Sequence, residues 1–432
     1  MKTLLQIIFL VLAYGQAAAQ ADFSSLYDEK TLSEWQAIYQ EDVPALYRDD
    51  ILPYLTPEQR ASLSDVKFEF PRIGPQKGVF EYYASGRTIT MPVVSLRFLR
   101  DLCLAYGWLQ ANGHDVSTVQ QYVGMIHTRP ASDFKDGRYP LPLDALGIPA
   151  NAKENALAQD VLSKCMTTNT FFILAHELAH IHFQHPGNNN VDARLSRINE
   201  SDADGFALDM MKRKKLIPFG LVLFFGCTSC SEAHRADFPD QQAFELAYRK
   251  RTHPLSAERL DNIATLLKDS APAFAEGQLV PSAAISRLTS MSSEISKISE
   301  ALKSENAHRL MRQMHLTTDP LKLAPRPAGS IAKEPFSGNY QCTITAATGS
   351  KTFRIQFLRS GANVIAELKD EGGITRIMGT VQGSKLTAQW WEEKNSGTLL
   401  LRSNPEDTGF SGTFGLSANP NISGTWEGIR LP

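Results

Sequence analysis

The chain is poor in several features that would have settled its class at once. Only five of its 432 residues are cysteine, which excludes a disulfide-knit scaffold, because such scaffolds are short and cysteine-dense. Lysine and arginine number 44 against 46 aspartate and glutamate, a formal net charge of -2. That balance gives no electrostatic case for a nucleic-acid partner, and the one basic run, Lys212-Arg213-Lys214-Lys215, reads as a solvated helix end. Nor is any apolar run long enough to span a bilayer, which takes about 20 residues. The segment Leu216 to Gly226 is short and carries Pro218 and Gly220, so no transmembrane anchor is expected. Around Cys227-Thr-Ser-Cys230 there is neither a thioredoxin-like strand nor a second ligand pair. A local disulfide is therefore expected there in preference to a redox motif or a zinc knuckle.

What the chain does contain is an ordinary globular composition, 43% apolar and 21% charged, at a length suited to two or three domains. The opening "MKTLLQIIFLVLAYGQAAAQ" combines Lys2, an apolar run from Leu4 to Gly15 and an A-x-A site at Ala17–Ala19. That is the pattern of a secretory signal peptide over residues 1–19, so the mature protein is expected to be exported, to a periplasm or the extracellular space. No cysteine follows to carry a lipid.

Residues 20–318 read as one mainly helical domain. "TPEQ" at Thr56–Gln59 opens a helix, "KFEFP" and "GVFEYYASGRTITMP" alternate as strands with a turn at Ser85-Gly86, and helical spacing resumes from Val94. Ala152 to His185 is mainly helical and stops at Pro186-Gly187-Asn188, and Arg194 to Lys215 is a further helix. Apolar residues recur three or four apart from Ile285 to Leu302, predicting one long amphipathic helix over 282–314. A Pro-rich linker covers 319–335. Beyond it, residues 336–432 form short strands with a repeated step, Phe336-Ser-Gly-Asn-Tyr340, Phe410-Ser-Gly-Thr-Phe414 and Ile422-Ser-Gly-Thr-Trp426, taken as turns opening aromatic strands. They predict an all-β meander closed into a barrel or sandwich, similar to lipocalin-like and avidin-like barrels. Its aromatics are expected to be core, with a ligand or partner at this β-domain as the other possibility. The fold class is α+β.

The chemistry sits in "FFILAHELAHIHFQH", Phe171 to His185. On a helix His176 and His180 project from one face, one turn apart, as two zinc ligands require. Glu177 lies beside them, too far round to be a ligand but able to reach a water held there. A third ligand is available in "RINESDADGFALDMM": after a Pro-Gly-Asn-rich reversal, Glu200 can face the histidines from an antiparallel helix. Asp204, one turn on, can accept a hydrogen bond from a ligand imidazole, and Ala203 and Ala207 let the helices approach. His182 is expected to be on the surface, and His185 has no assigned role.

This arrangement, H-E-x-x-H, nineteen residues and then E-x-x-x-D, resembles the gluzincin metallopeptidases. "ESDAD" with "RTHPLSAERLDNI" narrows the resemblance to the branch of the CAAX prenyl protease, HtpX and the periplasmic outer-membrane-assembly proteases, over about residues 75–268. Thr252, His253, Pro254 and Arg259 fall on that branch's pattern. The resemblance implies a zincin-type domain holding one Zn2+ through His176, His180 and Glu200. It implies Glu177 as general base and Asp204, with Asn199, behind the ligands. His253 would be a fourth ligand or a transition-state donor. The strand "RTITMP" is expected on a sheet edge, where an extended substrate could pair with it. No G-x-M-E-N stretch is present, which favours an endopeptidase of protein or peptide substrates. The alternative is a zinc-stabilised binding or chaperone-like envelope protein whose β-domain is the working part.

Overall fold

Apolar residues at helical spacing before residue 318 and at strand spacing after Gly338 build two compact units, Met1–Pro325 and Arg326–Pro432. The computed structural model describes residues 21–186, 192–249, 253–317 and, with short gaps, 335–431. The expected signal peptide over residues 1–19, Thr252 and the expected linker up to residue 334 lie outside the described residues.

In the first unit the longer helices are α1 (Glu29–Leu46), α2 (Pro57–Ser62), α3 (Val93–Ala111), α4 (Thr118–Thr128), α5 (Ala156–His182), α6 (Ala193–Lys214), α7 (Leu221–Ser229), α8 (Gln241–Arg249), α9 (Ala257–Asp269), α10 (Pro281–Lys303) and α11 (Glu305–Thr317). Polar caps set several of their starts. Thr56 and Gln59 form a reciprocal capping box at α2, Asn155 accepts from Leu157 and Ala158 at α5, and Asp192 accepts from Leu195 at α6. Each satisfies backbone N–H groups that the first helical turn leaves unpaired.

Helix α5 is buried on nearly every side from Thr168 to Ala179, so it is a core helix rather than an amphipathic one. Helix α3 is its main partner. A methyl group on Gly107 of α3 would meet the Ala158 carbonyl at 2.7 Å, and further along α5 Asn169 reaches back to Cys103. The two helices therefore run antiparallel and nearly touch at Gly107. The segment leading into α1 is tied to α3 by a buried polar cluster, in which Asp101 accepts from Tyr27 at 2.8 Å and pairs with Arg97 at 2.9 Å.

Three short strands, β1 (Lys67–Glu69), β2 (Tyr83–Ser85) and β3 (Thr88–Thr90), form a sheet in the order β1-β3-β2. The "RTITMP" strand is thus central, which corrects its expected place on the edge. The hairpin through Gly86 gives β3 one neighbour, and β1 returns parallel along the other side, Phe68 opposite Ile89. That second pairing is non-local and leaves no mark in the local pattern. The edges are β1 and β2.

Other expectations are also corrected. The long helix over 282–314 breaks at Ser304, which is extended (φ -94°, ψ 108°) and caps Ala307 with its hydroxyl. A serine that can satisfy the next helix's N–H ends one helix and starts another. All five cysteines are free thiols; Cys230, at the end of α7, gives its thiol to the Gly226 carbonyl instead of to Cys227. His182 is half-buried rather than on the surface, bonded to Ser62 at 2.7 Å and packed on Phe206.

In the second unit eight antiparallel strands, β4 (Gly338–Ala346) to β11 (Asn419–Arg430), follow a meander. β4 pairs with β11 and β10 pairs with both β9 and β11, so the sheet closes into a barrel. Alternate residues point inward, as in β9, where every second residue from Gly397 to Ser403 is buried. Phe336, Tyr340, Phe357 and Phe410 meet edge-on or tilted at 5.2–6.2 Å between ring centroids, an aromatic core. The second and third Ser-Gly steps are not turns. Gly412 and Gly424 lie within β10 and β11, where an added Cβ would collide with the Leu400 and Thr345 carbonyls respectively.

Helix α11 closes onto α4 through His315, whose ring fills the space above Gly124. Burial holds this imidazole down at about 4, against about 6.5 in an unfolded chain. The folded state therefore binds fewer protons between those values, and its stability falls as pH drops from 6.5 towards 4. We expect the protection factors of α11 amides, exchange corrected for its intrinsic pH dependence, to fall between pH 7 and pH 5, and His315→Leu to remove that fall.

Candidate metal centre

Helix α5 carries His176, Glu177 and His180, and α6 carries Asn199, Glu200 and Asp204. Ala203 and Ala207, both fully buried, line the face of α6 that meets α5 and keep it shallow. His253 stands in the short approach to α9, three residues before its cap Ser256, which accepts from Arg259 N–H at 3.1 Å. Three chain segments thus converge, 77 positions separating His176 from His253.

The nitrogen and oxygen donors point at a common centre. His176 Nε2 is 3.0 Å from His180 Nε2, 3.2 Å from His253 Nδ1 and 3.4 Å from Glu200 Oε2. His180 Nε2 is 3.6 Å from Glu200 Oε1, and His253 Nδ1 is 3.0 Å from the same oxygen. Tetrahedral ligands each about 2 Å from an ion stand roughly 3.3 Å from one another, which matches these separations. His176, His180, Glu200 and His253 are the group able to hold a metal ion among the described residues.

The surroundings complete the donors. His176 Nδ1 donates to Asp204 Oδ1 at 2.9 Å, which leaves the Nε2 lone pair directed at the centre. His185 Nδ1 is 2.9 Å from His180 Nδ1, so this histidine, without a role in the sequence reading, buttresses a ligand. Arg259 is 6% exposed and grips Asp204 with Nε and Nη2 while its Nη1 lies 2.8 Å from Glu200 Oε2. The sequence pattern had included Arg259 but suggested nothing of this. Its signal was an arginine one turn inside a helix, on the buried side, where only a paired charge is tolerated. Asn199 is buried beside Glu200, but its Nδ2 has no hydrogen-bond partner among the described residues.

Counting the protein's own charges, burial would push the Glu177 carboxyl up, but the facing His253, as a charge and as a hydrogen-bond donor, outweighs it and holds it below the usual range. Glu200 is likewise desolvated and is nevertheless held far down by His253 and Arg259. Burial and then His176 push His180 down to about 3, so it stands as a neutral donor. His253 goes the other way: burial opposes its charge, but Glu177 and Glu200 raise it well above normal. Its Nε2 lies 3.1 Å from Glu177 Oε1. Glu177 Oε2 is buried without a hydrogen-bond partner among the described residues, a polar atom positioned for something the protein does not supply.

With this geometry in hand, one comparison is informative. Residues 134–276 match the model of the family described as Peptidase U49. The matched span covers about a third of the chain, and it holds His176, Glu177, His180, Glu200, Asp204, His253 and Arg259. No curated protein and no solved structure matches the chain. No described helix is long and apolar enough to cross a membrane.

Replacing Arg259 by leucine would leave Asp204 and Glu200, both 1% exposed, without their shared cation. Removing one member of a buried ion pair costs about 3–5 kcal/mol. Urea denaturation of metal-free protein should register that loss for Arg259→Leu, while Arg197→Leu, whose ion pair with Glu258 is exposed, should shift stability by less than about 1 kcal/mol.

Proposed function

We propose that this chain is a zinc-dependent endopeptidase, and that the finer resemblance to the branch of the CAAX prenyl protease and HtpX describes its first unit. The observation that carries the reading is the juxtaposition of three side chains able to ligate a metal, His176, His180 and Glu200, with a buried carboxylate, Glu177, that is not needed among them. His176, His180 and Glu200 would hold the zinc. When bound, zinc supplies a Lewis acid that acidifies a water and polarises the scissile carbonyl.

The protein's own groups do the rest. Glu177 takes the proton of the attacking water on its carboxylate and returns it to the departing amine. The charges that lower its pKa keep it ionised, ready to accept. Asp204 keeps the His176 proton on Nδ1. Asn199 is assigned only the space behind Glu200. His253, facing both Glu177 and Glu200, supports the oxyanion as a donor when substrate is present. The substrate chain would pair with a free sheet edge, β2 rather than the central β3, since β2 packs on α5. On this reading the leader-like pattern of residues 1–19 would put the activity outside the cytoplasm.

A second reading has one observation in its favour. His253 stands within the donor group itself, and a metal with four protein ligands is closed, as in structural zinc sites. The chain would then be a zinc-stabilised binding or chaperone-like envelope protein working through its β-barrel.

Glu177→Gln separates the two. On the peptidase reading the variant retains one zinc per chain and its thermal stability, yet loses at least about 10²-fold in casein cleavage. Cleavage by the variant equal to that of the parent would rule the mechanism out. Treating the parent protein with a chelator should abolish cleavage, and one equivalent of Zn2+ should restore it.

A further inference from the structure

The barrel of the second unit is finished differently at its two ends. At the end where the chain enters β4, the inward-facing Tyr340, Phe357, Val381, Leu386 and Phe410 are at most 5% exposed. Phe336, fully buried, packs across Phe357 and Phe410 there. The opposite end carries the hairpins joining β4 to β5 (Gly349–Ser360), β6 (Asn363–Asp370) to β7 (Gly373–Gln382), β8 (Lys385–Trp391) to β9 (Ser396–Ser403) and β10 (Gly409–Leu416) to β11. Here the inward-facing Ile344, Phe353, Leu368, Phe414 and Leu416 pack on the core yet stay partly exposed. The register brings Trp390 into this group, since it pairs with Gly397 and Gly397 pairs with Leu416. One end is therefore sealed, and the other presents an apolar mouth, the part of a small barrel where a ligand fits.

One polar atom in the mouth is left over. Trp390 is 8% exposed, and its Nε1–H has no hydrogen-bond partner among the described residues. The nitrogen lies across Gly397, where an added Cβ would come within 2.6 Å of it, and the ring meets Phe414 at 6.5 Å between centroids. An indole nitrogen only donates, so what is missing is an acceptor, and a buried donor without one is costly. The Thr375 hydroxyl, opposite Leu368, is by contrast already given to Glu392 at 2.7 Å. None of the inward-facing side chains named above carries a charge, so a carboxylate or ammonium group buried among them would meet no counter-charge there.

We propose that this mouth binds a small, uncharged, largely apolar molecule whose carbonyl oxygen accepts from Trp390 Nε1–H while its hydrocarbon part lies on Phe414 and Leu416. The partly exposed apolar wall supplies the affinity, and the single donor fixes the ligand's polar end. The site belongs to the second unit alone, so it stands or falls independently of the metal centre and of the peptidase reading.

Nile red, an uncharged dye with a carbonyl oxygen, probes the site on the full chain by fluorescence titration. The expected result is saturable binding of one dye per chain. Methyl octanoate should displace it, and octanoate, which carries the same chain on a charged head, should do so at least about tenfold more weakly. Leu416→Lys, which puts a charge in the mouth, should weaken dye binding at least about tenfold. Ile429→Lys, on the outer face where the side chain is 69% exposed, should leave it unchanged. Trp390→Phe keeps a ring and removes the donor, so it should weaken methyl octanoate about fivefold and leave displacement by ethylbenzene, which has no acceptor, within about twofold. The proposal is overturned if the parent shows no saturable binding, if octanoate displaces as well as the ester, or if either mouth variant binds like the parent. Should a mouth variant lose the parent's circular dichroism, the displacement series on the parent decides alone.

Discussion

The side chain of Arg259 holds together most of what makes the metal centre possible. Asp204 and Glu200 stand one turn apart on one face of α6 and are almost completely removed from water. Two carboxylates so placed repel each other, and burial alone would push both towards the protonated form. The guanidinium bridges them, with Nε and Nη2 on Asp204 and Nη1 on Glu200, in the planar geometry that lysine could not reproduce. Because Asp204 stays ionised, it accepts from His176 Nδ1. Because Arg259 begins α9, the contact also sets where the chain enters that helix, and with it His253. One buried cation therefore connects tautomer, ligand charge and the arrival of a distant histidine.

That electrostatic centre needs a rigid apolar frame. α5 is sealed on almost all sides, and small residues make the seal possible where helices cross. Ala203 and Ala207 bring α6 close, and Gly107 brings α3 close. The low dielectric that results strengthens every charge interaction in the cluster, and it raises the cost of leaving any member unpaired. Ligand histidines held this way lose little freedom when an ion arrives, so the frame pre-organises the site. Glu177 Oε2 and Asn199 Nδ2, without hydrogen-bond partners among the described residues, are exceptions, and a functional site is where such exceptions are expected.

Parts of this were legible in the residues. The four-residue spacing of His176 and His180, the nineteen-residue interval to Glu200 and the Asp204 turn are local or nearly local patterns. A helix converts such spacing directly into a shared face. The change from helical to strand spacing near residue 336 separated the two units for the same reason. The break at Ser304 was hidden because helix-forming residues continue on both sides of it and Leu310 and Met314 resume apolar spacing beyond it, while the serine hydroxyl meets the needs of the new helix end. The Ser-Gly steps of the barrel looked like turns because glycine serves both at turns and where neighbouring strands press close.

The amino-acid sequence by itself determined which side chains share a helix face, and so which donors could ever act together. Only the tertiary structure decided their partners. The central position of β3, the arrival of His253 beside the α5 histidines and the clasp of Arg259 on two carboxylates all depend on segments far apart in the chain. Such contacts are chosen by the packing of whole helices and strands, where a glycine or an alanine at one crossing sets the register of everything beyond it. No local period records that choice, because the energy deciding it belongs to the interface between elements rather than to either element alone.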